Sequence, residues 1–203
     1  MAPAAHEQAA GLQRIVIVRH GETEWSASGQ HTSRTDLPLI DAGSEQARAL
    51  SGMLRSHDFA LVLSSPLRRA LETAEVAGFD DAVKISDDLH EWNYGEYEGL
   101  TTPQIRSARP DWWLWRDGCP GGEQPSEVGT RADRVLTRAE EVDGEVLIFG
   151  HGHILRVISA RWLECPVAFG ARLALSAGSL SALGFERKTR VLRLWNLVPG
   201  GGL

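Results

Sequence analysis

Five polar side chains of this 203-residue chain have the types that phosphate chemistry needs: Arg19, His20, Arg69, Glu91 and His151. An arginine guanidinium pairs with phosphate or carboxylate oxygens in a two-pronged geometry and stays charged at physiological pH. A neutral imidazole is a competent nucleophile, and a nearby carboxyl group can act as a general acid. Together these groups suit phosphoryl transfer to a histidine, with the arginines and the second histidine stabilising the charge on the phosphoryl oxygens.

The elements that would bring these residues together are short apolar runs, which predict buried parallel strands at Gln13–Val18, Phe59–Leu63 and Val146–Phe149. A polar signature follows each run: Arg19-His20-Gly21, Ser64-Ser65 and Gly150-His151-Gly152. Since ligands bind beyond the carboxyl ends of the strands in open α/β sheets, the three signatures are expected to meet at one rim. A single histidine at a strand end is more often a structural hydrogen-bonding group, so the prediction depends on the whole set.

Helical periodicity between these strands predicts an α/β fold. The predicted helices are Asp41–Ser56 with Asp41 as a cap candidate, Pro66 to about Ala77 with Ser65 as its cap, Ser126 to about Val142, and Gly152 to near Trp162. Residues 21–40 lack periodicity and are predicted to form a loop. Val83–Ile85 predicts a short strand, and Ser179–Phe185 with Val191–Val198 predict a closing antiparallel pair. We expect a three-layer α/β/α sandwich around a mostly parallel sheet, with a small insert at residues 92–125.

The composition is typical of a globular domain, with 42% hydrophobic and 24% charged residues. Twenty-one basic against 27 acidic side chains give a net charge of −6, which does not favour nucleic-acid binding. Two cysteines, Cys119 and Cys165, are too few for a disulfide framework and suit the cytoplasm. Met1–Leu12 lacks a secretory signal, and no apolar run approaches the ~20 residues that span a membrane. We expect a cytoplasmic chain with a flexible extension at residues 1–12 and a single domain at residues 13–203.

Four motifs, in order along the chain, carry a resemblance to a known family. The first is V-R-H-G-E-T-E-W, within Leu12–Trp25, and the second is S-P-L-R-R-A-L-E-T-A at Ser65–Ala74. The third is L-H-E-W-N-Y-G-E-Y-E-G at Leu89–Gly99, and the fourth is F-G-H-G at Phe149–Gly152. In these motifs the chain resembles the histidine phosphatase superfamily, also called the phosphoglycerate mutase-like family, over nearly its whole length.

The resemblance implies a role for each of the five residues. His20 matches the histidine that becomes phosphorylated, and Arg19 and Arg69 match the arginines that bind the phosphoryl oxygens. Glu91 matches the acid that protonates the leaving oxygen, and His151 matches the second phosphate-binding histidine. The implied reaction has two steps, in which His20 attacks phosphorus and water then hydrolyses the phosphohistidine.

Further candidates for substrate or phosphate binding are Thr23, Ser26, Arg116, Glu123, Gly152 and His153. Ser26 is a departure from the family pattern, because many relatives carry asparagine six residues after the nucleophile. The tryptophans of the insert admit two interpretations, since Trp112, Trp113 and Trp115 either pack the insert against the sheet or form a wall at the substrate entrance. Outside the site, Trp162 and Trp195 are predicted core residues, and Arg131, Arg134 and Arg138 predicted surface residues.

Within the family, the short insert favours hydrolysis over a mutase reaction. The cofactor-dependent mutases carry a longer insert with a cluster of lysine and arginine, whereas residues 92–150 contain no lysine. The motifs from Trp92 to Arg156 resemble the sugar-bisphosphatase branch and some bacterial acid phosphatases. We therefore expect a phosphomonoesterase that needs no metal or cofactor and acts on a small phosphorylated metabolite, with a sugar bisphosphate as a candidate. Relatives of this fold are often dimers, so a second copy of the chain is an expected partner.

The alternatives are a phosphoglycerate mutase-type transferase and a non-catalytic module that binds a phosphorylated ligand. A dinucleotide turn at Gly150–Leu155 is disfavoured because its third glycine is missing. A metal site at His151 and His153 is disfavoured because neither cysteine nor a carboxylate motif stands nearby in sequence. A cysteine phosphatase needs an arginine six residues after its nucleophile, and neither Cys119 nor Cys165 has one.

Overall fold

Six strands build one sheet in residues 14–200, the part of the chain that the structure, a computed structural model, describes. They are β1 (Ile15–Arg19), β2 (Phe59–Ser64), β3 (Val83–Ile85), β4 (Glu145–Gly150), β5 (Leu180–Glu186) and β6 (Thr189–Leu197). Across the sheet the order is β3-β2-β4-β1-β5-β6. The first four of these run parallel, and the β1–β5 and β5–β6 pairs are antiparallel. The predicted mostly parallel sheet is therefore confirmed; the extension expected at residues 1–12 lies outside the described residues.

Helices connect these strands. Within residues 14–200 they are α1 (Glu24–Ser28), α2 (Asp41–Leu54), α3 (Arg68–Ala77), α4 (Thr102–Ala108), α5 (Leu114–Asp117), α6 (Pro125–Glu140) and α7 (Gly152–Trp162). Short 3-10 helices lie at Asp80–Ala82, Asp87–Leu89, Gly95–Tyr97 and Val167–Arg172. In this part of the chain, every helix is too short or too polar to cross a membrane.

Alternate side chains of the central strands enter two separate cores, because successive residues of a strand point to opposite faces. In β1, Ile15 and Ile17 join the core beneath α6, α7 and the insert at residues 92–125. Val16 and Val18 join the other core, beneath α2 and α3. A parallel sheet buried on both faces needs such apolar runs, and the three-layer α/β/α sandwich is confirmed.

Three local predictions differ from the structure. Residues 21–40 contain the short helix α1, whose start is capped by reciprocal hydrogen bonds between Thr23 and Ser26. Sequence reasoning missed this capping box because its third helical residue is usually glutamate or glutamine. Asp41 does not cap α2, since Ile40 takes the cap position and Asp41 lies in the first turn. There its charge interacts favourably with the amino end of the helix.

The start of α3 is the third difference. The helix begins at Arg68, two residues later than predicted, with Leu67 at the cap position. The hydroxyl of Ser65 accepts a weak hydrogen bond from the amide of Leu67 at 3.3 Å, and a shorter one from a histidine on the neighbouring strand end. Ser65 is therefore held against the sheet rather than placed at the end of the helix.

Two glycines allow α2 to touch the loop that follows β1. A Cβ atom on Gly43 would lie 2.2 Å from the carbonyl oxygen of Glu22, and one on Gly21 would lie 2.2 Å from the carbonyl oxygen of Gly43. Both obstacles are backbone atoms, so a side chain at either position would force the two segments apart. The loop after β1 is thereby fixed against α2.

This close approach predicts opposite effects for two alanine substitutions in the same helix. Gly43→Ala should lower the free energy of unfolding by about 2 kcal/mol or more, because the new methyl group clashes with backbone. Gly52→Ala, which meets no atom within 4 Å, should raise it by about 0.5–1 kcal/mol through helix propensity. Urea unfolding followed by circular dichroism measures both; equal changes in the two variants would contradict the close approach.

Candidate active site

The carboxyl ends of β1 and β4 bring two of the polar signatures side by side. Arg19 pairs with Gly150 in the strand register, and the amide of His20 donates to the Gly150 carbonyl at 2.9 Å. The ring centroids of His20 and His151 are 5.1 Å apart. Ser64 lies next to β4 in the same register, so the third signature reaches the same edge. The structure thus places residues from three distant segments at one rim.

His20 is held as a neutral imidazole with one free ring nitrogen. Its Nδ1 lies 2.7 Å from the carbonyl oxygen of Gly21, which requires the proton on Nδ1 and leaves a lone pair on Nε2. Burial lowers the pKa of His20 well below its usual value of 6.5, and the charges of Arg69 and Arg19 lower it further. The side chain lines a cavity at the rim. Nε2 of His20 is therefore available as a nucleophile at neutral pH.

Arg19 has a hydrogen-bond donor without a protein partner. Its Nη1 donates to the carbonyl oxygen of Leu175 at 2.5 Å, which holds the guanidinium in place. Its Nε is the one buried side-chain nitrogen or oxygen in residues 14–200 that has no hydrogen-bond partner. Buried donors are normally paired, and an unpaired one on a guanidinium at a cavity floor fits an anionic ligand.

Arg69 lies behind the cavity and is completely buried. Its Nε donates to Nδ1 of His151 at 3.1 Å, and its terminal nitrogens donate to the carbonyl oxygens of Thr32, Ser33 and Thr35 at 3.1–3.2 Å. These bonds use four of its five N–H groups, so Arg69 acts here mainly through its charge and through His151. The structure does not place it among the residues that line the cavity.

His151 is a donor in this arrangement. Because Nδ1 accepts from Arg69, the proton lies on Nε2, which donates to the hydroxyl of Ser65 at 2.7 Å. Burial lowers the pKa of His151 well below 6.5, and the charge of Arg69 adds to the effect. Both ring nitrogens are engaged by protein groups, so His151 supports the cavity floor beside His20.

Glu91 is fixed by backbone amides at the start of α7. Its Oε1 accepts from the amides of Trp92 at 2.9 Å and Ile154 at 2.8 Å, and its Oε2 accepts from the amide of His153 at 2.8 Å. Oε2 accepts one backbone hydrogen bond fewer than Oε1, and Glu91 lines the cavity. A Cβ on Gly152 would lie 3.6 Å from this oxygen, so the glycine leaves room for a substrate.

The cavity has a volume of about 390 Å³, with a polar floor and aromatic walls. Arg19, His20 and Glu91 form the floor. Both interpretations of the insert tryptophans hold, since Trp112 and Trp115 are buried in the core and also line the cavity. Trp113 lies at its mouth and is 40% exposed. Trp162 is a core residue as predicted, whereas Trp195 is only half-buried against the core.

Four of the six further candidates lie at or next to the cavity. Ser26, Gly152 and His153 line it. Thr23 is buried beside Ser26, where it caps α1. His153 is additionally bonded through Nδ1 to the hydroxyl of Tyr94 at 2.6 Å. Burial lowers the pKa of His153 well below 6.5, and Arg156 lowers it further.

Arg116 and Glu123 are not brought into the cavity. Arg116 is exposed and makes an ion pair with Asp117 at 2.7 Å. Glu123 makes an ion pair with Arg131 at 2.7 Å and accepts from the amide of Asn93. Since each charge is met by a neighbouring partner, the two residues stabilise the insert. Arg131 is correspondingly not a simple surface residue, because its side chain is only 13% exposed.

Sequence reasoning missed several residues that line the cavity, among them Arg156, Tyr94 and His31. Arg156 lies one turn after Gly152 and His153 in α7, so helical spacing would have placed it on the same face. Tyr94 lies in the third motif, three residues after Glu91. His31 lies in the stretch predicted as loop, where no periodicity indicated which side chains point inward.

Residues 14–200 contain no group of three or more histidine, cysteine, aspartate or glutamate side chains arranged to hold a metal ion. The positive charge of the site comes instead from Arg19 and Arg69. Burial lowers the pKa of both guanidinium groups, while the charge of Glu91 acts in the opposite direction. The arrangement joins a neutral nucleophile, a fixed carboxyl group and two buried positive charges.

The sequence of residues 15–198 matches the family model of the histidine phosphatase superfamily, branch 1. The chain belongs to this superfamily. Its site geometry agrees with that membership, because the four motifs of the sequence converge on the rim described above.

Named relatives of this histidine phosphatase include two enzymes. An acid phosphatase of Mycobacterium tuberculosis is 43% identical over 189 residues, which cover 91% of this chain and 92% of the relative. A sedoheptulose 1,7-bisphosphatase of Saccharomyces cerevisiae is 35% identical over 186 residues, 76% of this chain and 69% of the relative. The solved structure of a protein encoded by an open reading frame of Mycobacterium tuberculosis superposes on this chain with a TM-score of 0.88. The two are 41% identical in sequence, and the match covers 92% of this chain and 98% of that one. The predicted family and the predicted class, a phosphoric monoester hydrolase, are confirmed.

Glu98 positions the loop that holds Arg69. Its Oε1 accepts from the amides of Ser33 at 2.8 Å and Thr35 at 3.0 Å. The carbonyl oxygens of these two residues accept from the Arg69 guanidinium. The carboxylate of Glu98 therefore orients the carbonyl groups that hold the buried charge.

Removing the Glu98 carboxylate should make the loop at residues 32–35 more mobile. The guanidinium of Arg69, which this loop holds, should then be less well positioned. Glu98→Ala should lower kcat/KM for p-nitrophenyl phosphate by about 10- to 100-fold, since hydrogen bonds to charged groups contribute roughly 1.5–3 kcal/mol. Glu98→Gln keeps an acceptor oxygen and should recover most of the activity. Glu96→Ala, in the same segment but exposed, is the control. Equal activity of the Glu98→Ala and Glu96→Ala variants would show that Glu98 does not act on Arg69.

The buried neutral histidines also make stability depend on pH. His20, His151 and His153 have pKa values well below 6.5 in the folded state, so the unfolded chain binds more protons below pH 6.5. The free energy of unfolding should therefore fall as the pH falls from 6.5 to 5.5, by at most about 1 kcal/mol per histidine. Urea unfolding between pH 7.5 and 5.5 should show a shallower dependence in His20→Asn. A dependence identical to that of the wild type would contradict the neutral state of His20.

Proposed function

We propose that the protein is a metal-independent phosphomonoesterase that transfers the phosphoryl group of a small phosphorylated metabolite first to His20 and then to water. The observation that carries the proposal is the state of His20, whose Nδ1 is tied to Gly21 and whose Nε2 is free on the cavity floor. The unpaired Nε of Arg19 belongs to a side chain that lines the same cavity, and it supplies a donor for a phosphoryl oxygen.

In the first step, Nε2 of His20 attacks phosphorus in line with the ester oxygen, and the P–O bond to the alcohol breaks. Glu91, in its acid form, gives its proton to the departing oxygen through Oε2. The guanidinium of Arg19 binds the non-bridging oxygens, and the buried charge of Arg69 stabilises them from behind His151. The step needs little protein movement, because these groups are already fixed.

In the second step, water attacks phosphorus and the P–N bond to His20 breaks. The Glu91 carboxylate takes a proton from the water, so both catalytic groups return to their starting forms. Inorganic phosphate and the free alcohol are the products. Hydrolysis is favoured over a mutase reaction because the insert is short and lacks the lysine cluster of the mutases.

We place a sugar bisphosphate first among the candidate substrates. The name of the yeast relative supports this class, as does the charge in the outer cavity. Arg106 and Arg156 both line the cavity beyond the floor. Arg156 lies 4.7 Å above the ring of Trp115 and is held through Nε by the carbonyl of Gly170 at 2.9 Å. Its terminal nitrogens remain available for a second anionic group.

Release of inorganic phosphate in excess EDTA tests this function. Wild type should release phosphate from one or more members of a panel: p-nitrophenyl phosphate, 3-phosphoglycerate, fructose and sedoheptulose bisphosphates, and a phosphopeptide. His20→Ala should lose at least about 1,000-fold of kcat because the nucleophile is gone. His57→Ala, which removes a half-buried histidine paired with Glu145, should stay active.

A substrate with a radiolabelled phosphoryl group tests the intermediate. Label that stays bound to the wild-type protein, is released by acid and is absent from His20→Ala would identify the phosphohistidine. Loss of activity in EDTA would contradict metal independence. Isomerisation of 3-phosphoglycerate without release of phosphate would indicate a mutase. Neither phosphate release nor isomerisation would indicate a binding module.

A further inference from the structure

The ring of His31 is a polar group in the catalytic cavity that the reaction above does not use. Its backbone is anchored on both sides, since its amide donates to the Leu100 carbonyl at 2.9 Å and its carbonyl accepts from the Gly99 amide at 2.8 Å. Its Nδ1 also lies 2.9 Å from the Leu100 carbonyl oxygen. The position and orientation of the ring are therefore set before any substrate binds.

The contact with Leu100 also fixes the proton of the ring. A carbonyl oxygen only accepts hydrogen bonds, so Nδ1 carries the proton and Nε2 carries a lone pair. Burial lowers the pKa of His31, while the Leu100 carbonyl and the charges of Glu91 and Glu98 act in the opposite direction. The described residues offer Nε2 no hydrogen-bond partner. His31 thus presents a neutral acceptor inside the cavity.

Aromatic rings surround this acceptor. The ring of Tyr94 meets His31 edge-on with centroids 4.7 Å apart, and the ring of His153 stacks on it at 6.2 Å. Trp112 lies at 5.8 Å, and Trp115 forms a further part of the cavity wall. Aromatic walls pack against the C–H faces of a sugar or polyol, and a neutral acceptor pairs with a hydroxyl donor rather than with an anion.

We propose that His31 is a specificity-determining residue whose Nε2 accepts a hydrogen bond from a hydroxyl group in the alcohol part of the substrate. The enzyme then favours polyhydroxylated phosphate esters over alkyl or aryl phosphates. This inference rests on the proposed phosphatase reaction and adds to it the recognition of the leaving group.

The expected effect is selective. A site that hydrogen-bonds a substrate hydroxyl loses affinity for that substrate when the protein acceptor is removed, because the bound hydroxyl then has no partner. A substrate without hydroxyl groups makes no such bond and loses nothing. Loss of the His31 acceptor should therefore change the preference between substrates, whereas a general disturbance of the site would lower activity on all of them.

Three substitutions separate the two nitrogens of the ring. His31→Asn places an amide near the position of Nδ1, which keeps the contact with Leu100 and removes the acceptor at Nε2. His31→Gln reaches the position of Nε2 and gives up the contact with Leu100. His31→Phe keeps the ring shape and removes both.

The substrates are erythritol 4-phosphate and butyl phosphate, which share a four-carbon chain with and without hydroxyl groups, and p-nitrophenyl phosphate. For erythritol 4-phosphate, kcat/KM should fall about 10- to 100-fold in His31→Asn and His31→Phe and recover largely in His31→Gln. For butyl and p-nitrophenyl phosphates, all three variants should stay within about threefold of the wild type.

A fall of equal size on all three substrates would overturn the inference, because it would show a structural role. Recovery by His31→Asn but not by His31→Gln would overturn it as well, since the contact with Leu100 would then be what matters. If p-nitrophenyl phosphate is hydrolysed through His20 while selectivity stays unchanged, only the role of His31 fails. If His20→Ala hydrolyses it as well as wild type, the proposed reaction itself fails.

Discussion

The burial of two guanidinium groups beside two neutral imidazoles is the constraint on which this structure depends. Arg19 and Arg69 keep positive charge at the rim of the sheet, and burial with those charges keeps His20 and His151 unprotonated. Charge in a site of low dielectric constant is costly unless it is paired. Carbonyl oxygens offset part of that cost, and in the proposed reaction the phosphoryl group of the substrate completes the pairing. The site is therefore preorganised for an anionic ligand.

The groups that stabilise this charge come from distant parts of the chain. The loop at residues 32–35 and Glu98 hold Arg69, and Leu175 holds Arg19. Backbone amides at the start of α7 hold Glu91 in the same way that amides at other helix starts bind carboxylates. Loop segments thus hold the two arginines, and the start of a helix holds Glu91.

The strands and the central site could be predicted because their signals are local. A β-branched run such as Ile15–Val18 has few alternatives to a buried strand, and the polar residues that follow it must lie at the strand end. Arg116 and Glu123 could not be excluded in the same way. Their partners, Asp117 and Arg131, are near in sequence, but the sequence does not show whether each charge turns toward its partner or toward the cavity. His31 could not be found because the contact that orients its ring is with Leu100, 69 residues away.

The topology of the sheet also constrains how the protein can be made. β1 carries His20, the proposed nucleophile, at its end. It lies between β4 and β5, which are synthesised more than a hundred residues later. Until those strands emerge, an apolar segment remains without either neighbour, and such unpaired edges are prone to aggregate or to bind chaperones. His20, at the end of β1, is thus synthesised well before the two strands that enclose β1. Each nascent chain therefore exposes β1 until β4 and β5 have been synthesised.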